Sequence, residues 1–285
     1  MSNLDGAVMA PAGWREALNP AIYLISLLPG LVVLMLADSD ARGVVLAATA
    51  AVVFLQHAIN VLNDVADWKL GADEEKWDSW VRVHGETRTA TLHGILSFLA
   101  GGALGLAVLL STGKLWVLGV AAPLVILGFL YNAGPRPLSY TFLGEWVTGI
   151  CYGGVFACLW LLTDKGFGLP AMAGSLAFAA LAVSLLLSHQ PPQIETDRAA
   201  GKHSFAVRYG VEKTIRVSRS LFVFSLAMLG MAIWFGSTGK LAAALFSMAA
   251  LYAIFNVWQR QPGPRVILLQ SAMAIGFGIL ASQAA

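Results

Sequence analysis

Long apolar blocks separated by short polar stretches organise this chain from one end to the other. They fall at residues 21–36, 44–62, 92–110, 115–131, 142–162, 169–187, 221–235, 241–258 and 266–281. A helix needs about 20 apolar residues to cross ~30 Å of hydrocarbon, and repeated runs approaching that length are not a feature of soluble domains. The runs lack the period-two alternation of a membrane barrel. The pattern therefore predicts an all-α polytopic membrane protein with about nine transmembrane helices, residues 1–285 forming a single membrane-embedded domain.

Composition agrees with lipid as the main solvent. Of 285 residues, 58% are hydrophobic and 12% charged, where a soluble domain carries about 25% charged residues. The net charge of +2 says little, but its placement is informative. With nine spans, Arg15, Lys69, Lys76, Arg82, Arg88, Arg136, Arg198, Lys202, Arg208, Lys213, Arg216, Arg219, Arg260 and Arg265 share one side, and only Arg42, Lys114, Lys165 and Lys240 fall on the other. The positive-inside rule places the richer side in the cytoplasm, as expected of a multi-pass protein of the cytoplasmic (inner) membrane. No basic start with an apolar core and a cleavage site precedes Pro20, so insertion is expected to rely on the first span. That same rule accounts for the basic residues without a nucleic-acid partner, and no obligatory protein partner is evident. Cys151 and Cys158, seven apart in one span, read as packing thiols too distant to pair.

Ionisable groups near a bilayer are costly and usually functional, and here they gather in two places. The end of the second span and the loop after it hold His57, Asn60, Asn63, Asp64, Asp67, Lys69, Asp73, Glu74 and Glu75; after the sixth span come His189, Gln190, Gln193, Glu195, Asp197, Arg198, Lys202 and His203. If the second helix continues to Asp67, then His57, Asn60, Asp64 and Asp67 share one face. Such a stripe should line an interior cavity, where two carboxylates a turn apart form a hard oxygen site for Mg²⁺ and substrate phosphate. In the second cluster Gln190, Gln193 and Asp197 share a face, followed by basic Arg198 and Lys202. The Pro191-Pro192 pair predicts a break or kink there. Plainer readings exist. The clusters fit solvated loops at span ends, Trp68, Trp77 and Trp80 fit an interfacial aromatic belt, and His57 fits a helix-packing histidine. His84, His93 and His203 show no zinc-ligand spacing.

Three segments together resemble the UbiA superfamily of membrane prenyltransferases, in particular the branch that prenylates 1,4-dihydroxy-2-naphthoate in menaquinone synthesis. Asn60-x-x-Asn63-Asp64-x-x-Asp67-x-x-x-Gly71-x-Asp73 is similar to the family's first aspartate-rich motif. Asp197-Arg-Ala-Ala-Gly-Lys202-His-Ser-Phe-Ala-Val-Arg208-Tyr-Gly210 is similar to the tail of its second. Tyr131-Asn-Ala-Gly-Pro-Arg136-Pro-Leu-Ser-Tyr140 with Leu143-Gly-Glu145 resembles the segment joining the fourth and fifth helices. The resemblance implies nine helices around a cavity, Mg²⁺ bridging the motifs to a polyprenyl diphosphate, and an aromatic acceptor above the allylic carbon.

On that reading Asp64, Asp67, Asn60, Asp73 and Asp197 are the expected metal ligands, with Lys202, Arg136, Arg198 and Gln193 around the diphosphate. Tyr131 and Tyr140 are the candidates for aromatic faces near a developing cation. His57, Glu145 or a phosphate oxygen could take the acceptor's hydroxyl proton. The sequence departs from the family where Gln190 and Gln193 replace the usual Asn and Asp, removing charge from the second motif, and in the 77–84 loop. A UbiA-type transferase for another ring, a membrane terpene cyclase, and a non-catalytic carrier stay open as alternatives.

Overall fold

The computed structural model describes residues 13–37, 39–71, 76–132, 134, 137–236, 240–260 and 263–283, and the described residues are helical throughout, joined by short connections. Nine long helices follow the nine apolar blocks: α1 (Leu24–Leu36), α2 (Arg42–Leu70), α3 (Thr87–Ser111), α4 (Leu118–Asn132), α5 (Gly144–Leu161), α6 (Leu169–His189), α7 (Phe205–Gly236), α8 (Lys240–Gln259) and α9 (Pro264–Gln283). Eight of these, counting the turns before α1 and α4 with them, are long and apolar enough to cross a membrane. The remaining one, α5, has 18 residues and carries Glu145 in its first turn.

Most helices pack against their neighbours in the chain, and α9 closes back onto α1 and α6. α6 packs extensively against both α5 and α7. There, where lipid provides no hydrophobic drive between helices, small residues permit close approach and buried hydroxyls add directional ties. Phe156 of α5 stacks on Phe178 of α6, with centroids 5.4 Å apart. It occupies the space left by Gly174, where a Cβ would lie 2.2 Å from its ring. Ser184 and Ser218 join α6 to α7 reciprocally, each hydroxyl donating to the other residue's carbonyl at 2.8 Å.

Two features position the polar end of the bundle. First, α2 is 29 residues long, more than the about 20 needed to cross, so its last turns extend past the apolar segment and end at Gly71 in the left-handed region (φ 80°). The predicted continuation to Asp67 is observed. Second, α6 stops at His189, where the proline pair was expected to break it; a short 3-10 turn (Pro191–Gln193) and a short helix (Ile194–Ala199) lead into α7. That last helix bends at Gly210, whose φ of 79° and ψ of 170° a side chain would oppose.

At the opposite end, the sparse cations serve helix ends. Lys114 donates to the carbonyls of Leu162 and Thr163 at 2.8 and 2.9 Å, Lys165 donates to the carbonyl of Leu36, and Lys240 donates to that of Trp234. These satisfy carbonyls that helix C-termini leave without partners.

Candidate active site

Asp64 and Asp67 lie about one turn apart near the end of α2 and are both buried. Each carboxylate is held through both oxygens. Asp64 accepts from the Lys76 ammonium at 2.6 Å and from the Trp80 backbone N–H at 2.8 Å. Asp67 accepts from the Tyr140 hydroxyl at 2.8 Å on one oxygen, and from Asn63 Nδ2 at 2.8 Å and Lys202 Nζ at 3.3 Å on the other. Asp197, on the short helix after α6, accepts from Ser204 Oγ at 2.9 Å, and its second oxygen lies 3.7 Å from Lys202 Nζ. Lys202 thus stands between Asp67 and Asp197 with 15% of its side chain exposed, an ammonium bridging the two acidic segments.

The loop carrying Lys202 is fixed by the backbone. Its N–H donates to the Asp197 carbonyl at 2.8 Å, and the next N–H, of His203, donates to the Tyr140 carbonyl at 3.0 Å. The 138–140 turn is thereby tied to the second motif, and the Tyr140 ring lies beneath the Lys202 ammonium, 4.8 Å from ring centre to Nζ. Tyr140 therefore orients both an acid and a base. Tyr131 faces the same interior: its hydroxyl bonds Thr148, and Glu145, Asp67 and Asp197 are its acidic neighbours.

The remaining expected residues divide. Asn60 bonds the Tyr23 hydroxyl. Arg198 is exposed and Gln193 half-buried. Arg136 and Asp73 lie outside the described residues. Gln190 is buried and serves α7: its Nε2 donates to Glu145 Oε1 at 2.9 Å and its Oε1 accepts from the Ala206 N–H at 3.1 Å, while Glu145 Oε1 also accepts from the Phe205 N–H at 2.8 Å. A Gln–Glu pair from two other helices caps the first turn of α7, satisfying donors that a helix start leaves unpaired. Neither that role nor the placement of Lys76 on Asp64 was visible from spacing, because both depend on which loops meet in space.

A second polar group adjoins the site. The Tyr23 hydroxyl lies 2.6 Å from His57 Nδ1, His57 Nε2 lies 3.0 Å from His93 Nε2, and His93 Nδ1 lies 3.0 Å from His84 Nε2. Trp80 packs edge-on against His57 and His93, with centroids 5.1 and 4.9 Å away.

The acidic segments that the sequence places far apart meet across one ammonium. The profile of the UbiA prenyltransferase family matches residues 24–274. The chain belongs to this family.

This UbiA family member is 28% identical over 188 residues to a 1,4-dihydroxy-2-naphthoate octaprenyltransferase of Bacillus subtilis (strain 168), covering 62% of this chain and 58% of that one. A protein of the same name from Mycobacterium tuberculosis (strain ATCC 25618 / H37Rv) is 30% identical over 190 residues, 65% of this chain and 63% of its own. The chloroplastic 2-carboxy-1,4-naphthoquinone phytyltransferase of Arabidopsis thaliana is 33% identical over 189 residues, 61% and 48%. The matches thus span between about half and under two thirds of these relatives' length. A UbiA homolog from Archaeoglobus fulgidus bound to DMAPP and Mg²⁺ has a TM-score of 0.65 at 18% identity, covering 95% of this chain and 99% of that one. The apo UbiA homolog from Aeropyrum pernix K1 gives 0.67 at 18%, covering 93% and 98%. At that identity the likeness is one of fold, and it agrees with the nine-helix reading.

Proposed function

We propose that this UbiA family protein transfers a polyprenyl group from its diphosphate to an aromatic acceptor, 1,4-dihydroxy-2-naphthoate, using Mg²⁺, with the site facing the cytoplasm. The observation that carries the reading is the Asp67–Lys202–Asp197 bridge, which joins two acidic segments by a cation at the mouth of an apolar bundle. The names of the relatives favour the naphthoate ring as acceptor.

The donor set suits Mg²⁺. Asp64, Asp67 and Asp197 offer hard carboxylate oxygens, and in this structure Asp64 is paired with Lys76 while Asp67 and Asp197 share Lys202. Among the described residues no three acidic, histidine or cysteine side chains converge enough to hold an ion alone. Mg²⁺ ordinarily takes one or two carboxylates and completes its shell with substrate phosphate. The three aspartates would hold it, and once bound it supplies charge neutralisation for the departing diphosphate.

The chain's own residues do the rest. Lys202 offers a fixed cation to the diphosphate, and Lys76, 37% exposed and paired with Asp64, would offer a second one on turning toward a phosphate. Tyr140 holds Asp67 in place through its hydroxyl. Tyr131, with Glu145, Asp67 and Asp197 as acidic neighbours, would lend its ring to an allylic cation. The apolar bundle keeps water from the cation as the acceptor ring attacks.

The test is transfer of radiolabelled polyprenyl diphosphate by purified protein, with and without Mg²⁺, onto 1,4-dihydroxy-2-naphthoate and a panel of other phenols. Mg²⁺-dependent label on the naphthoate is expected, with Asp64→Asn and Asp67→Asn lowering turnover by at least about 10²-fold. Label on another phenol would change the acceptor. No transfer to any ring would overturn the reading.

A further inference from the structure

The geometry points to a hydrogen-bonded relay, Tyr23–His57–His93–His84, that carries the acceptor's hydroxyl proton from the active site to the protein surface. This rests on the transferase reading and adds the route of a proton that the acidic site does not account for. Glu145, the other side chain in reach of this role, is committed to the start of α7.

The contacts are continuous at 2.6, 3.0 and 3.0 Å, each within hydrogen-bond range. The inner end lies at the site, because the Tyr23 hydroxyl also bonds Asn60 and has Asp64 as a neighbour. At the outer end, His84 closes the short helix Trp80–His84, followed by the exposed Gly85 and Glu86. The scaffold is coupled to the same site, since Trp80, which packs on His57 and His93, donates its N–H to Asp64. Trp14, 61% exposed, covers His84 and His93 from outside, with centroids 5.6 and 5.7 Å away.

The nitrogens in contact decide between a metal cage and a chain. His93 meets His57 through Nε2 and His84 through Nδ1, opposite edges of one ring, so the three imidazoles do not face a common point. A neutral imidazole donates from one nitrogen and accepts at the other. His57 and His93 meet Nε2 to Nε2, so they must be opposite tautomers; His93 and His84 meet Nδ1 to Nε2, so they must be the same one. Unbroken bonding leaves two directions, and the one in which Tyr23 donates to His57 has His57 protonated on Nε2 and both His93 and His84 on Nδ1.

Each group in that order accepts from the site side and donates outward. As the acceptor's O–H bond breaks, its proton goes to the Tyr23 oxygen and the Tyr23 proton passes to His57 Nδ1. The Nε2 proton of His57 moves to His93 Nε2, the Nδ1 proton of His93 moves to His84 Nε2, and the Nδ1 proton of His84 leaves to water. The electron pair released on the acceptor oxygen forms a C=O bond and drives a ring pair into the new carbon–carbon bond as the diphosphate departs with the pair of the broken C–O bond. The substituted carbon then loses its proton or its carboxyl group as CO₂, which restores the aromatic ring, and the oxygen takes a proton back. The histidines act through Tyr23 and are positioning residues for this proton.

Two measurements test it. In protein with ¹⁵N-labelled histidine in lipid bilayers, His57 should show the opposite tautomer from His93 and His84, with His93→Gln and His84→Gln assigning the signals. The same tautomer at His57 and His93 would break the chain, whether or not the protein is active. In the transfer assay, His93→Gln should lower kcat by about 10²-fold, the lower end of what positioned acid–base groups contribute, with KM for the prenyl diphosphate unchanged. His93→Gly should regain part of that rate with added imidazole. Wild-type kcat in His93→Gln, or a loss in His93→Gly that imidazole does not restore, would overturn the relay while leaving the transferase reading intact. No transfer by wild-type protein would instead fail the transferase reading, with the tautomer pattern still deciding the hydrogen-bonded chain.

Discussion

At the scale of single residues, Gln190 shows how a motif position can change its work. By sequence it opens the second polar segment, and a family pattern with Asn there reads it as a weakened metal ligand. The fold turns it away from that task, because its amide is spent on Glu145 and on the Ala206 N–H at the start of α7. Removing one partner of a buried hydrogen bond leaves the other unsatisfied, at a cost of about 1–3 kcal/mol. Gln190→Glu adds to this by setting a second carboxylate against Glu145. It should lower stability by at least that amount, whereas Gln193→Asp, at a half-buried position outside this network, should change it by less than about 0.5 kcal/mol. Thermal unfolding in detergent, read from tryptophan fluorescence, compares the two directly. Equal midpoints for Gln190→Glu and wild type would remove the capping role.

Among the helices, most of the architecture was legible because lipid makes it so. Every backbone polar group in hydrocarbon must be satisfied within its own segment, so an apolar block of sufficient length has only one structure available. The nine blocks follow from that restriction, whereas the break at Pro191 follows from the proline pair and the extension of α2 to Asp67 was read from polar residues sharing one helix face. The packing of one helix on another was not legible, because it depends on single small residues whose neighbours lie in other spans. Gly153 of α5 is such a point: a Cβ there would lie 2.9 Å from the Ser175 carbonyl oxygen and 3.0 Å from Ala179 Cβ, both on α6. A backbone oxygen cannot give way as a side chain can, so Gly153→Ala must separate the two helices. The expected loss is about 1–3 kcal/mol, typical of overpacking. Gly102 of α3, where a Cβ meets nothing within 4 Å, is the control. Gly102→Ala should be neutral or stabilising by about 0.5–1 kcal/mol, since alanine restricts the chain less unfavourably in a helix. Proteolysis rates of the two variants in detergent would separate the outcomes.

For the whole molecule, the acidic positions of the candidate site and Lys202 stood out in the sequence, and the pairing of each lysine with its carboxylate did not. Aspartates stand out in a chain so poor in charge, but Lys76 reaches Asp64 from a different loop, and Lys202 meets Asp67 across 135 positions of sequence. The histidine chain was missed for the same reason, because its members come from α2, α3 and the short helix between them and have no ligand spacing along the sequence. With Asp64, Asp67 and Asp197 already paired to ammonium groups, binding an ion alone would mean displacing a lysine without offering it a new partner. A diphosphate removes that obstacle by giving the displaced lysines an anion while completing the ion's coordination, so the two ligands should bind cooperatively. A ligand that binds only the folded state raises stability by RT ln(1 + [L]/Kd), about 2.7 kcal/mol at 100 Kd. Mg²⁺ together with a non-reactive prenyl thiodiphosphate should therefore shift the unfolding midpoint by several degrees, and by clearly more than the sum of the shifts each produces alone. Asp67→Asn should reduce the joint shift toward that sum by removing a carboxylate on which both Lys202 and the ion depend. A full shift from Mg²⁺ alone would show that the protein holds the ion without its substrate, and shifts that merely add would show that the lysines do not exchange partners.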